Sequence, residues 1–445
     1  MQIQLPEKVT YIISQLEAAG FEAYAVGGCV RDSLLGRVPD DWDVTTSAKP
    51  HEVKALFGHT IDTGIQHGTV TVLLGGEGYE VTTYRIDGEY TDSRHPKDVV
   101  FTANLIEDLK RRDFTINAMA YNPKDGIVDA FDGITDLNQC IIRCVGDATE
   151  RFGEDALRML RAVRFSAQLG FCIAQDTQEA IRILAPNLKR ISAERIQVEL
   201  VKLLLSNHPD YMRDAYRLGI TQAVLPELDA LFTTQQHNPH HMYTVGEHTM
   251  HCLLSIRAEK SLRIAALFHD IGKPAVKMTD EKGIDHFHGH VEKGERIAEN
   301  ILKRLKFDND TITKVKKYIQ YHDYNIEPHS RGVRRAVNKI GDSYFLQVLE
   351  LKRADICAQS SYQRIQKLER IDQIENLYQE ILERNECMSL KTLAITGNDL
   401  IRLGIPQGKQ IGELLQSLLE DVIQNPENNT YTYLIKKAKE LSGIF

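Results

Sequence analysis

The hydrophobic periodicity of this 445-residue chain changes once, and that change limits its architecture more than any other feature. Up to about residue 148, short alternating runs with strand character are interspersed with helical spacing. Beyond it, strand signals nearly vanish. Residues 6–19 read as a helix: Pro6 suits its first turn, Val9, Ile12, Ile13 and Leu16 make one apolar face, and Gly20 can end it. Strands are expected over 22–26, 42–45, 69–74, 79–85, 127–131 and 140–145, and a helix over 115–121. Residues 86–104 are polar and aperiodic and read as a flexible loop. Helical spacing then runs through 152–169, 176–185, 192–206, 209–218, 244–257, 261–272, 291–305, 310–322 and 342–385. The expected fold is therefore α+β: a mixed-sheet head with helices, followed by a long all-α region. Pro226, Pro239 and a polar run at 233–238 mark a boundary near 225–242, and a second lies near Met388.

Composition narrows the function classes. With 42% hydrophobic and 26% charged residues, the chain has the balance of a globular protein. It holds no run of eighteen apolar residues, so no membrane span is expected. Met1 to Leu5 lack a basic region and an apolar signal core, which points to the cytoplasm. Seven scattered cysteines form no Cys-x-x-Cys pair and read as reduced structural thiols; Cys140 and Cys144 are close but lack partners for a zinc site. The net charge of −8 argues against bulk nucleic-acid binding, but its distribution is uneven. Residues 303–339 hold ten Lys and Arg against four Asp and Glu, and Arg158, Arg161 and Arg164 recur at helical spacing. Each stretch is a basic binding face or a solvated helix face.

The head carries the first constellation. Gly27-Gly28-Cys29-Val30-Arg31-Asp32 provides a glycine pair that lets backbone approach a phosphate, with Arg31 as a charge partner. Asp41-Trp42-Asp43 follows; on a strand, Asp41 and Asp43 would share a face and a divalent metal, with Trp42 on the other side against the core. Glu80 could supply a third carboxylate or stand solvated at a strand end. Together these residues suit nucleotidyl transfer by metal-assisted displacement. Arg112 could reach phosphate, while Asp113 would cap the helix expected after it. Asp155 and Arg158, three apart on one expected helix, place an acceptor beside a forked donor. That pair matches the amine and bare ring nitrogen on the edge of adenine or cytosine, and would refuse the carbonyls of guanine and uracil. An ordinary salt bridge within the helix is the other reading of Asp155 and Arg158.

Gly27–Asp32, Asp41–Asp43, Arg111–Asn117, Glu154–Arg158, Arg161 and Arg164 resemble, in order, the motifs of bacterial class II tRNA nucleotidyltransferases, the family of CCA-adding enzymes and their poly(A) polymerase relatives. The resemblance implies a polymerase-beta-like nucleotidyltransferase head over 1–148, a helical neck for RNA and nucleotide over 149–228, a helical body over 229–387 and a helical tail over 388–445. It implies template-independent addition of CCA to tRNA from CTP and ATP with Mg2+. Asp41 and Asp43 would be the metal ligands, and Gly28, Arg31, Arg112, Asp155, Arg158, Arg161 and Arg164 the nucleotide contacts. Family members that add only CC lack a flexible loop that stands here as Asp87 to Pro96, with Asp92 and Arg94 within it. The intact loop argues against a CC-only enzyme and is expected to help the site change from CTP to ATP. A-only addition and poly(A) synthesis stay open.

A second constellation lies in the body. His269-Asp270 is flanked at a distance by His248, His288, His290, His322 and Asp355. Imidazoles and carboxylates around an open position can hold a divalent metal and activate water. Residues 240–356 resemble the HD phosphohydrolase domain. That resemblance implies His248, His269, Asp270 and Asp355 as ligands of a divalent transition metal, with His290 and His322 as the added histidines of members that bind more metal or phosphate. A domain that only packs against tRNA is the alternative, and a phosphohydrolase with a regulatory nucleotide-binding head is a different class of function. In the tail, a helix is expected over 411–423; the segment either binds the tRNA elbow by shape or closes the fold. The sequence leaves the oligomeric state open.

Overall fold

The computed structural model describes residues 2–88 and 99–443. The chain divides into two compact units, Met1–Asp229 and Ala230–Phe445.

The first unit opens with α1 (Glu7–Ala18), which buries Val9, Ile12, Ile13 and Leu16. Its end is closed by left-handed Gly20, whose N–H and that of Phe21 return to the carbonyls of Glu17 and Leu16. The central sheet runs β3-β4-β5-β2-β1-β8-β9. Its strands are β1 (Ala23–Val26), β2 (Val44–Thr46), β3 (Thr60–Gly64), β4 (Thr69–Leu74), β5 (Glu77–Thr83), β8 (Met119–Asn122) and β9 (Gly126–Asp129). The β2–β5 pair is parallel, with Val44 opposite Val81, and all other pairs are antiparallel. On one face α1 and α3 (Pro50–Leu56) pack over Val44, Val70, Val72 and Val81. A second cluster gathers Tyr24, Val26 and Ala120 with Leu105 and Leu109 of α4 (Leu105–Lys110).

Several expectations change here. The segment 115–121 is not a helix but a short 3-10 turn, Thr115–Asn117, leading into β8. Met119, Ala120 and Tyr121 are buried, and the ladder to β1 and β9 outweighs their helical propensity. Asp41 to Asp43 precede β2 rather than lying on it, although the Asp43 carbonyl accepts the Val26 N–H at 3.0 Å and so continues the ladder. Gly27 leads into α2 (Gly28–Leu34), which carries Gly28 to Asp32 of the glycine-pair motif. The expected loop is a hairpin at its base, with β6 (Arg85–Asp87) paired to β7 (Val99–Phe101). The remainder of that loop, including Asp92 and Arg94, lies outside the described residues.

After the sheet come α5 (Gly133–Asn138), α6 (Ala148–Glu154), α7 (Leu157–Leu169), α8 (Gln175–Leu184) and α9 (Ala193–Leu204). The expected helix over 152–169 breaks at Asp155, which is extended at φ −140° and ψ 103°. Its Oδ1 accepts the Leu157 N–H and so starts α7.

The second unit is helical, with a short hairpin of Met278–Thr279 and Asp285–His286 that the sequence did not disclose. The long helix expected over 342–385 is two, Asp342–Ala358 and Arg364–Glu383. Its tail helices, Gly397–Arg402, Lys409–Gln424 and Tyr431–Ser442, close on a core that includes Leu400, Leu418, Leu419 and Leu434. Among the described residues no helix is long and apolar enough to cross a membrane.

Candidate active site and candidate metal centre

In the first unit a cavity of about 810 Å³ brings the head motifs together with α7 and α9. Gly28, Arg31, Asp41, Asp43, Arg112, Asp155, Arg158, Arg161 and Arg164 all line it. Glu80 does not line the cavity, but it sits on β5 beside the β2 end that carries Asp43. Partial desolvation raises the Asp43 carboxyl, Glu80 and Asp41 add to the rise, and Arg112 opposes it. Clustered carboxylates of this kind repel one another until a cation is shared among them, and hard oxygen donors suit magnesium. Trp42, between the two aspartates, is partly buried against the α1–α3 core.

Gly27, just before α2, holds φ 83° and ψ −129°, a backbone conformation that a residue with Cβ strongly resists. A Cβ there would also lie 3.1 Å from Arg112 Nη1. The turn therefore lets Arg112 cross the glycine pair. The buried Arg112 Nε has no hydrogen-bond partner among the described residues, which suits an anion.

The arginines are organised by Phe165. The guanidinium carbons of Arg164, Arg31 and Arg161 lie 3.7, 5.2 and 5.3 Å from its ring centroid. Three cations around one ring make a local excess of positive charge, eased by the ring quadrupole and by internal carboxylates. Arg31 donates to Asp32 at 2.8 and 2.9 Å and to Asn117 Oδ1 at 2.6 Å. Arg161 pairs with Asp113 at 2.6 Å. Asp113 thus serves as a counterion and does not cap a helix. Burial pushes its carboxyl up, but Arg161 and Asn117 outweigh burial and hold it at about 2. Arg164 Nε lies 2.6 Å from Glu199 Oε2 on α9, an ion pair without an aligned hydrogen bond. Burial lowers Arg164 to about 10 despite Glu199.

Asp155 and Arg158 share the cavity, but not as neighbours on one helix. Asp155 is held by both terminal guanidinium nitrogens of Arg195, at 2.6 and 3.3 Å. Arg158 donates to Glu154 at 2.5 Å and to the Arg111 carbonyl at 3.0 Å. The acceptor and the donor are thus fixed from separate sides.

The second unit gathers the body motif. His248, His269 and Asp270 place ligand atoms within 4.8 Å of one another, as do Asp270, His290 and His322. His248 Nε2 is 2.9 Å from Asp355 Oδ1 and 3.3 Å from His269 Nε2, and His269 Nε2 is 3.2 Å from Asp270 Oδ2. Ligands about 2.1 Å from one ion are themselves roughly 3.0–3.4 Å apart, so these spacings fit a shared cation. All four imidazoles turn Nδ1 to a backbone carbonyl, of Ala358, Ala266, Phe287 and Ile319 for His248, His269, His290 and His322. Each Nε2 is thereby left as the ligand atom. Burial lowers His322, and also His241 beside the cluster, to about 3, so both stay neutral. The cluster opens on a cavity of about 640 Å³ that Lys273 also lines. Gly272 is needed here because a Cβ would meet the His290 carbonyl at 2.1 Å; this backbone contact sets His290 beside Asp270. His288 lines the cavity outside both ligand sets.

Comparison with known proteins follows the same division. A Poly A polymerase head domain matches residues 23–143, a probable RNA and SrmB-binding site of polymerase A matches 170–232, and a putative tRNA nucleotidyltransferase domain 2 matches 279–438. A CCA-adding enzyme of Limosilactobacillus reuteri is 36% identical over 448 residues, covering 99% of this chain and 98% of its own. This chain belongs to the CCA-adding enzymes. One from Leuconostoc mesenteroides is 57% identical over 207 residues, a match that spans 46% of this chain and about half, 52%, of that relative. The solved Bacillus stearothermophilus CCA-adding enzyme in complex with CTP is 30% identical, covers 99% of this chain and 100% of its own, and superposes with a TM-score of 0.74. The Thermotoga maritima CCA-adding enzyme complexed with tRNA shares the fold at 20% identity, with a TM-score of 0.60 over the whole of both chains.

In this CCA-adding family member, Arg195, Glu199, Asn117 and Phe165 complete the head site; Asn117 closes the Arg111–Asn117 motif without having been given a role, and sequence reasoning missed the other three. Only Glu199 left a signal. It interrupts the apolar stripe of Ile196, Leu200 and Leu203, where a lone carboxylate calls for a buried cation.

Proposed function

We propose that this chain adds CCA to the 3′ end of tRNA without a nucleic-acid template, using CTP and ATP. The observation that carries the reading is the single cavity that joins Asp41 and Asp43 to Arg31, Arg112, Arg161 and Arg164 and to Asp155 and Arg158. Asp41 and Asp43, flanked by Glu80, would hold Mg2+, whose charge offsets that developing on the transferred phosphoryl group. Arg112, through its unpartnered Nε, and the three guanidiniums around Phe165 bind and orient the triphosphate. Asp155 accepts the exocyclic amine of cytosine or adenine, and Arg158 donates to the adjoining ring nitrogen. We place the head at 1–148, the neck at 149–228, the body at 229–387 and the tail at 388–445, in a protein of the cytoplasm. The test uses magnesium and a tRNA transcript lacking CCA beside one ending in CC, each with CTP, ATP or both. Three additions that then stop, CTP before ATP, are expected. Growth on the CC-ended transcript alone, or a long ladder, would refute the reading in favour of A-only addition or poly(A) synthesis.

A second activity is favoured by the histidine–aspartate cluster. We propose that it is a metal-dependent phosphohydrolase site of the HD type, with His248, His269, Asp270 and Asp355 holding a divalent transition metal. His269→Ala with Asp270→Ala should abolish metal-dependent phosphatase activity and leave nucleotide addition intact. Undiminished phosphatase activity in that variant would overturn the assignment.

A further inference from the structure

Behind the cavity of the first unit lies a carboxylate that does not line it. Asp108, on α4, is 0% exposed and receives five donors. Its Oδ1 accepts from Arg111 Nη2 at 2.7 Å, from Arg111 Nε at 3.0 Å and from the Arg85 N–H, at the start of β6, at 3.3 Å. Its Oδ2 accepts from the Thr45 hydroxyl on β2 at 3.1 Å and from Arg112 Nη2 at 3.4 Å. The two arginines are gripped unequally. Arg111 is held at two nitrogens. Arg112 is held at one, at long range, and its buried Nε has no partner among the described residues. Arg112 is thus oriented without being used up. Arg111 clamps the last turn of α4 from three residues beyond Asp108. A helix leaves its last carbonyls without donors of its own, and that of Arg111 accepts from Arg158 Nη2 at 3.0 Å.

We propose that Asp108 is a positioning residue for nucleotide addition, holding Arg112 for the triphosphate and Arg158, by way of Arg111, for the base. This rests on the nucleotide reading of the head cavity. Charge balance alone would not demand the arrangement, because a counterion needs only to lie within reach of the guanidiniums. A carboxylate is one rigid plane, so the Oδ1 grip on Arg111 and the Oδ2 contact with Arg112 cannot turn independently. Thr45 fixes that plane against β2, the strand that follows Asp41 and Asp43. Its hydroxyl can also reach the Thr82 carbonyl at 3.2 Å, but the charged oxygen is the stronger acceptor.

The test is single-nucleotide addition to a tRNA transcript lacking CCA, with CTP and with UTP, by the parent, Asp108→Asn and Thr45→Val. Asp108→Asn keeps the outline of the side chain and removes its charge and one acceptor. The KM for CTP should rise about tenfold, and the preference for CTP over UTP should fall about tenfold. Thr45 does not line the cavity either, and Val keeps its shape while releasing Oδ2, so shifts of about threefold in the same directions are expected. A lower rate shared by both nucleotides, with KM and preference unchanged, is what lost stability alone would give and would overturn the proposal. If Asp108→Asn does not fold, Thr45→Val decides on the same two readings. A parent that takes CTP and UTP alike would overturn the base-selection reading itself, and the proposal with it.

Discussion

Glu199→Gln isolates the cost of the charge cluster on which the nucleotide reading depends. Arg164 and Glu199 are 6% and 5% exposed, and their ion pair spans 2.6 Å. Removing one partner of a buried pair costs about 3–5 kcal/mol, because the surviving charge is left uncompensated in a medium of low dielectric. Here the loss belongs at the lower end. Arg164 keeps its contact with the Phe165 ring at 3.7 Å and its hydrogen bond to Gln168 at 2.9 Å. A loss of about 3 kcal/mol in a unit of this size lowers the melting temperature by roughly 6–12 °C. Differential scanning calorimetry of the full chain reads this on the transition that ATP shifts, which marks the first unit. Asp62→Asn, which removes the exposed pair between Lys54 and Asp62, should leave that transition in place. ATP should raise the melting temperature of Glu199→Gln by more than it raises that of the parent, since the triphosphate supplies the missing negative charge. A shift below about 2 °C in Glu199→Gln would mean that Arg164 needs no internal counterion, and the account of the cluster would fail.

Three further outcomes follow from the same site. Asp113 is held at about 2 against an ordinary 3.8, so it stabilises the fold above the ordinary value and loses that contribution as pH falls toward 2. The stability gap between parent and Asp113→Asn, about 2–3 kcal/mol by denaturant titration, should be full at pH 6 and close between about pH 4 and 2; a gap independent of pH would refute the Arg161 pairing. Arg195→Ala frees Asp155 from its two-point hold, and discrimination of CTP over UTP in single-nucleotide addition should fall about tenfold while the melting temperature changes little. Unchanged discrimination would show that Asp155 is placed without Arg195. Gly27→Ala forces a side chain into φ 83° and against Arg112, so the rate of C addition should drop at least tenfold; a rate near that of the parent would remove Gly27 from the positioning of Arg112.

What the sequence disclosed and what it hid divide along one physical line. Periodicity found α1 and α9 because a stripe such as Val9, Ile12, Ile13 and Leu16 is a local property. It mistook 115–121 for a helix because β8 is held between β9, its hairpin neighbour, and β1, nearly a hundred residues away, with Ala120 opposite Val128 on one side and Val26 on the other. The motif residues Asp41, Asp155 and Arg164 were visible as types at spacings, yet the spacing misled on geometry. Asp155 and Arg158 are three apart across a helix break, Asp155 extended before α7 and Arg158 within it, not both on one continuous helix. The hidden residues are counterions and supports. Arg195 and Glu199 reach the site only through the packing of α7 on α9, and nothing in the local sequence announces which charge faces which.

Those counterions change how the basic cavity should be understood. Arg31 is paired with Asp32, Arg158 with Glu154, Arg161 with Asp113, Arg164 with Glu199 and Arg195 with Asp155. A guanidinium has five N–H donors, and one carboxylate engages at most part of that fork. The triphosphate therefore meets arginines that are oriented in advance but still have donors to give, and it need not strip each from its partner. Orientation costs less binding energy than ordering free side chains would. The internal carboxylates also reduce the net field, so the product diphosphate is held less tightly than by bare arginines. An enzyme that takes up three nucleotides in succession at one site needs that release. On this argument Glu199→Gln, which removes one counterion and leaves the guanidinium, should bind ATP more tightly and turn over more slowly once diphosphate release limits the cycle.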